Sequence, residues 1–446
     1  MIFCKFRYII IKLYITFEIK KINLNIYTLR SSNINKGKKM AKNLINYDFL
    51  KKYLPENIND EDFALISHYI QLQGTENAIK YKNILESKNI DFTKLPSKDD
   101  FNKDHDIPFA VKNKKFTFID LFAGIGGFRL AMQSCGGECV FSSEWDAAAK
   151  QTYFENYGEV PFGDITKPET KDMIPENFDV LCAGFPCQAF SIAGYRKGFD
   201  DVRGTLFFDV ADILERYRPK AFYLENVKNL QSHDEGRTFE KIMDVLKNRL
   251  HYKVDSKVMN PSEYANVPQN RERIFIVGFD REQVNIEKYL EEDSNEFDGK
   301  RLNFPFPDKM DLTATIHDII NNDESDEKLF YKPGHLYYDR MKPVITNPDT
   351  VYQWRRVYIR ENKNNVCPTL TANMGEGGHN VPIIFVPEKG IRKFTPEECL
   401  GFQGFPVKKG FRYPTTIAQS KKYKQAGNSV TEPLIERVAN NIIQII

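Results

Sequence analysis

Cys187 closes the run Val180-Leu181-Cys182-Ala183-Gly184-Phe185-Pro186-Cys187. Apolar residues lead there into Gly and Pro, so a buried strand ends by delivering one small, soft nucleophile to the cleft above its sheet. Two further strings, Glu225-Asn226-Val227 and Gln269-Asn270-Arg271-Glu272-Arg273, supply what a thiol needs to attack a pyrimidine ring. Glu225 suits a ring nitrogen if it carries or shares a proton there. Arg271 and Arg273 lie two apart, on one face if extended, where one or both can bond a ring oxygen and hold Glu225 and a phosphate. Asn226 orients the loop. Taken singly, a free cysteine is more often a packing residue and an arginine pair a solvated strand end. The three strings together favour chemistry.

A second constellation reads as a nucleoside pocket. Ala123-Gly124-Ile125-Gly126-Gly127 follows a strand and opens a helix, and Gly124 and Gly126 let the backbone approach a ligand closely. The spacing is not the dinucleotide pattern G-x-G-x-x-G. About 20 residues on, at the next strand end, Glu144 can accept ribose hydroxyls, and Trp145 can stack on an adenine. Asp164 and Ile165 offer an amine acceptor and an apolar wall.

The elements that must hold these residues alternate. Strands are predicted at Phe116–Phe122, Cys139–Ser143, Phe178–Ala183, Ala221–Leu224 and Arg273–Gly278. Helices are predicted at Phe128–Ser134, Asp146–Tyr157 (Asp146 as N-cap), Thr205–Arg216 and Arg237–Leu250. The fold class is therefore α/β, a mostly parallel sheet with helices on both faces. Ligands then sit beyond the carboxyl ends of the strands, and every motif named above is expected at such an end. Residues 40–112 are polar with helical periodicity and read as a helical N-terminal extension, an accessory domain rather than a dedicated DNA-binding module. Residues 113–300 form the main domain. Residues 301–390, enriched in proline with the Gly-rich run Met374–His379, form a loop-rich domain. Residues 391–446 return to the main domain through a capped helix (Thr395 ahead of Glu398) and a helix from about Glu432 to Ile446.

These motifs, with Phe118–Phe128 and Gln425-Ala426-Gly427-Asn428-Ser429-Val430, resemble the bacterial DNA (cytosine-5)-methyltransferases of the restriction–modification type, over about residues 115–280 and 391–446. The resemblance implies a Rossmann-like methyltransferase domain that binds S-adenosyl-L-methionine, with Phe122, Glu144, Trp145, Asp164, Ile165, Pro186, Leu206 and Asn428 lining the pocket. It implies that Cys187 adds to C6 of a flipped-out cytosine so that C5 can take the methyl group, with no metal, because the leaving group is already activated. It makes Ser191–Gly198 a lid, with Ser191, Arg196 and Lys197 on the DNA; Ala193 stands where some relatives have serine, which puts one lid-to-DNA bond in doubt. It also makes 301–390 the target-recognition domain. There Arg355 or Arg356 is expected on phosphate or guanine, with a strand-edge charge cluster as the bland alternative, and Thr369, Leu370 and Thr371 are expected near bases.

Bulk properties set limits. The net charge of +2 hides nine Lys/Arg against Glu18 alone in residues 1–39, leaving 54 basic and 60 acidic groups for the rest. DNA binding must therefore rest on local clusters. Residues 1–39 lack a signal-peptide cleavage pattern and are expected to be an untranslated or disordered leader, with translation starting at Met40. The seven cysteines form no C-x-x-C pair, so neither a disulfide framework nor a zinc site is expected, and the default setting is a reducing cytoplasm. A monomer acting on double-stranded DNA, with no membrane and with a possible cognate endonuclease, is the expected assembly. The rival readings are a tRNA cytosine-5 methyltransferase and a catalytically idle DNA-binding regulator.

Overall fold

Five strands whose side chains are almost all buried, as expected of runs covered on both faces, and a sixth, partly exposed edge strand form the central sheet. They are β1 (Phe116–Leu121), β2 (Gly137–Ser143), β3 (Val180–Gly184), β4 (Ala221–Val227), β5 (Lys253–Met259) and β6 (Arg273–Phe279), in the order β2-β1-β3-β4-β6-β5. The computed structural model describes residues 59–110, 114–186, 206–296, 298–355, 357–362, 364–376 and 380–446. The predicted Cys187, Ser191, Arg196, Lys197 and Arg356, and the leader, lie outside them.

Strands β1 to β4 are mutually parallel, whereas β6 runs antiparallel to both its neighbours. This corrects one expectation: Arg271 and Arg273 stand at the amino end of their strand. They still reach the working edge of the sheet because β6 is reversed. β5 was not anticipated; Ser256 interrupts the apolar positions Val254 and Val258.

The first helices are α1 (Asp60–Leu72), α2 (Asn77–Ser87) and α3 (Lys98–Asp104). In the main domain follow α4 (Gly127–Ser134), α5 (Ala147–Tyr157), α6 (Leu206–Tyr217) and α7 (Arg237–Asp244), the last running on into a π-helical turn at Val245–Arg249. Asp146 caps α5 as predicted, accepting from the N–H groups of Ala148 and Ala149. Near the C-terminus, α8 (Pro396–Phe402) carries the predicted Thr395–Glu398 capping box, and α9 (Gln419–Asn428) and α10 (Glu432–Ile443) follow. Phe128 and Ala131 of α4 and Leu434 and Val438 of α10 pack on Phe118, Tyr223 and Phe275 of the sheet. Each of the buried leucine, valine and phenylalanine side chains contributes roughly 1.5–3 kcal/mol.

The region after residue 301 is more regular than the sequence implied. After a small hairpin of β7 (Leu290–Glu292) and β8 (Lys300–Leu302), it builds a four-stranded antiparallel sheet of β9 (Val351–Arg355), β10 (Tyr358–Asn362), β11 (Ile383–Val386) and β12 (Gly390–Lys393), ordered β10-β9-β11-β12. Its core is Met341, Ile345, Tyr352, Trp354, Ile383 and Ile391. β12 crosses the expected boundary at 390, so the return to the main domain begins after Lys393. There fully buried Arg392 clamps the Glu398 carboxylate of α8 through both terminal nitrogens, at 2.6 and 2.8 Å.

Candidate active site

β3 ends beside β4 in a register that sets Gly184 opposite Glu225. Just beyond, the buried Asn226 side chain donates to the Phe185 carbonyl at 2.9 Å and accepts from the Val227 N–H at 2.8 Å. It therefore grips the peptide two residues ahead of Cys187, the orienting part the sequence assigned to it. Antiparallel pairing puts Val227 opposite Arg273, and the Arg273 guanidinium Nε lies 2.9 Å from the Glu225 carboxylate. Only 15% and 10% of these two side chains is exposed, so water screens the pair weakly.

Arg271 behaves differently from its neighbour two residues on. It is buried, and its guanidinium donates to the carbonyls of Leu370 (2.8 Å), Ser429 (2.7 Å) and Gly427 (3.3 Å). Burial, reinforced by Arg273, pulls it down to about 9. The two arginines thus do not share one task. Arg273 faces Glu225, and Arg271 ties Leu370 to Gly427 and Ser429 of the last motif. Gly427 is part of the same knot, since a Cβ there would sit 2.2 Å from the Thr371 backbone.

This knot also corrects a predicted base contact. Leu370 is a core residue, 1% exposed, packed with Cys367, Met374 and Phe402. Thr369 is exposed, but its hydroxyl donates to the Asn270 carbonyl at 2.6 Å. Thr371 is exposed ahead of a 3₁₀ turn at Ala372–Gly375. Arg355 projects from the end of β9 with its guanidinium on Gln353 at 3.0 Å.

A cavity of about 570 Å³ joins Glu225, Asn226, Arg271 and Arg273 to Phe122, Gly124, Glu144, Trp145, Asp164, Ile165, Pro186, Leu206 and Asn428. Gly126 is outside its lining. Its φ of +85° needs glycine, and a Cβ there would meet the Tyr157 ring at 2.2 Å, so this residue serves packing. Phe122, at the end of β1, also has left-handed backbone (φ +55°), a strained turn of the kind that clusters at functional sites.

The donors and acceptors suit an adenosine. Each Glu144 oxygen accepts one backbone N–H, from Gly124 at 2.8 Å and Asp146 at 2.7 Å, leaving lone pairs for a ribose diol. Burial raises this carboxyl. Trp145 is 80% exposed, with an indole face available for stacking. Asp164 uses one oxygen on the Thr166 N–H at 3.0 Å, leaving the other for an exocyclic amine. Sequence reasoning missed Lys421 and Lys424, a turn apart on α9, which also line the cavity. It also missed Asp120, fully buried in β1, whose carboxyl burial pushes up to about 8 against the pull of Arg129.

A mainly parallel sheet with an adenosine cradle and a Glu–Arg pair in one cavity is the architecture of an S-adenosylmethionine-dependent methyltransferase. Residues 116–444 match the family model of C-5 cytosine-specific DNA methylases. The chain is 46% identical to the type II methyltransferase M.Bsp6I of Bacillus sp. (strain RFL6), over 72% of this chain and 96% of that protein. It is 42% identical to M.HpaII of Haemophilus parainfluenzae, over 74% and 90%, and 40% identical to M.HhaI of Haemophilus parahaemolyticus, over 74% and 96%. Its fold is similar to that of the Entamoeba histolytica methyltransferase EhMeth (TM-score 0.52, 18% identity, 74% and 99% covered) and of the S. pombe Dnmt2 methyltransferase (0.51, 14%, 74% and 98%). The chain belongs to the C-5 cytosine-specific DNA methylase family and uses S-adenosylmethionine as methyl donor. Among the described residues no helix is long and apolar enough to cross a membrane.

Proposed function

We propose that this enzyme methylates C5 of one cytosine within a short specific sequence of double-stranded DNA, as a monomer in the cytoplasm, protecting DNA from a cognate endonuclease. The observation that carries the reading is the single cavity that sets the Glu225–Arg273 pair beside the Glu144–Trp145–Asp164 cradle.

S-adenosylmethionine, when bound, supplies a methyl group on a sulfonium, an electrophile that needs no metal. The chain supplies the rest. The Cys187 thiolate forms a bond to C6 of the extruded base, and the ring electron pair moves toward N3 and C5. Glu225 holds a proton at N3, and Arg273 keeps that carboxyl in place and reaches toward O2. C5 then forms its bond to the methyl carbon as that carbon's bond to the sulfonium sulfur breaks, the sulfur keeping the pair and leaving as a neutral thioether. Loss of the C5 proton to a base returns an electron pair to the ring and expels Cys187 as thiolate. Asn226 fixes the approach of the strand end throughout. Glu144, Trp145 and Asp164 hold the ribose and adenine, and Arg196, Lys197 and Ser191 close on phosphate.

Incubation with methyl-labelled S-adenosylmethionine and either DNA or tRNA tests the substrate. Label is expected in DNA, and label in tRNA alone would overturn the reading. DNA carrying 5-fluorocytosine has no C5 proton to lose and should trap the wild-type enzyme covalently but not Cys187→Ser. Bisulfite sequencing of DNA from expressing cells would then read out the recognised site.

A further inference from the structure

Residues 59–110 precede the family match, and the reaction just described leaves them without a task. Their contacts converge on one place. β2 is an edge strand, and its end is extended by the segment 159–163: Phe162 N–H donates to Ser142 O at 2.8 Å and Glu144 N–H to Phe162 O at 3.0 Å. Glu144 leaves this pair on one strand and Asp164 on the other. Both cofactor acceptors therefore hang from the same two-strand edge.

The N-terminal helices grip that edge from behind. Val160 N–H donates to the Ser67 hydroxyl at 2.9 Å, and Ser142 N–H to His68 Nε2 at 3.2 Å. The opposite ring nitrogen of His68 bonds Ala64 O at 2.8 Å, and its ring lies 4.4 Å from that of Phe162. Gln71 donates to Gly158 O at 3.3 Å, and Tyr81 OH to Val140 O at 2.8 Å. Ser67, His68 and Tyr81 are fully buried, as is Glu159, whose carboxylate lies 3.2 Å from His68 and 3.0 Å from Arg129. Buried N–H groups left without acceptors are costly, so these side chains decide where the edge backbone sits. Ten of the 13 residues of α1 are buried, which leaves this helix no free face for a DNA groove.

We propose that residues 59–110 brace the cofactor site: Ser67 and His68 are positioning residues that set Glu144 and Asp164 for S-adenosylmethionine, so cofactor affinity depends on them while turnover and DNA binding do not. The inference rests on the reading of Glu144 and Asp164 as cofactor contacts. In the full-length enzyme, His68→Ala should raise KM for S-adenosylmethionine about fivefold or more, a typical coupling between linked sites. At saturating cofactor kcat should be retained, and the Kd for DNA should be unchanged. His68→Gln keeps an acceptor within reach of Ser142 N–H and should recover much of the loss. Ser67→Ala and Tyr81→Phe, each removing one hydroxyl, carry the test if His68→Ala fails to fold. By reciprocity, cofactor should slow hydrogen exchange in residues 60–72 of the wild type. Glu144→Ala separates the two failures. If it leaves KM unchanged, the cofactor-site reading falls. If it raises KM while Ser67→Ala and His68→Ala do not, the brace alone is overturned. A weaker Kd for DNA with unchanged KM would overturn it in favour of a DNA-binding extension.

Discussion

At the edge of the six-stranded sheet, Glu225, Asn226, Glu144 and Asp164 are each held by backbone groups or by a neighbouring charge at 2.7–3.0 Å. On the four-stranded sheet, Arg355 and Tyr358 stand at the hairpin tip facing solvent, and what is buried there is the apolar core beneath them. The first arrangement suits a reaction whose transition state is the same at every visit, because preorganised dipoles need no rearrangement as charge develops. The second suits recognition, in which side chains meet base edges that differ from one target to another. Between the two lies the knot of Arg271, Leu370, Gly427 and Ser429. It joins Leu370 to the last motif through neutral backbone carbonyls instead of a second ion pair.

The contrast can be broken at its strongest point first. Cys187→Ala should reduce methyl transfer by roughly 10⁴-fold or more, as loss of a nucleophile does elsewhere, while specific DNA binding persists. Persistent turnover would remove the sulfur from the mechanism. Glu225→Gln should lower kcat by about 10²–10⁴-fold, the range of a lost proton-transfer group, without changing affinity for cofactor.

The two arginines sharpen it further. Arg271→Leu strands three buried carbonyls and should cost about 3–5 kcal/mol of stability in denaturant unfolding. Arg273→Leu should slow catalysis far more than it shifts unfolding. If Arg271→Leu left stability unchanged, the knot would not be what joins the regions.

Asp120 tests the interior of the sheet by pH. Its folded carboxyl is pushed up to about 8, so between pH 4 and 8 the native state keeps a proton that the unfolded chain releases. The stability this contributes is complete at low pH and is lost as pH rises toward 8. Asp120→Asn, which mimics the protonated form, should flatten that slope. At pH 8 it should stabilise the protein on the order of a few kcal/mol relative to wild type, with little difference near pH 4. Denaturant midpoints at the two pH values decide it.

The smallest effect belongs to the β9–β10 hairpin. Arg355→Ala should weaken DNA binding by about 1–3 kcal/mol and relax one base position if it reads guanine. If it meets phosphate, binding should weaken evenly across sequences, with the salt slope reduced by about 1. No change in either measurement would leave Arg355 a strand-edge charge.

What could be read in advance follows the same division. Glu144, Trp145 and Asp164 were legible because they follow a buried strand or its extension, and a short apolar run has a local signature. The four-stranded sheet was not, because its short strands are broken up by loops bearing Pro368, Pro382 and Pro387, and the pairing of β9 with β11 spans 31 residues. Leu370 was misjudged for a related reason: a lone leucine between two threonines reads as loop, and only packing against Phe402 and Met374 makes it core.

By itself the sequence determined which chemical groups the chain carries to its strand ends, and in what order, since strand and turn propensities and strand-to-helix alternation act over a few residues. Only the tertiary structure decided that β6 is reversed, that Arg273 rather than Arg271 meets Glu225, and that residues 59–110 close on the edge of β2. Strand direction and the partner of a buried charge depend on segments far apart in the chain, whose pairing is chosen by the burial they achieve together.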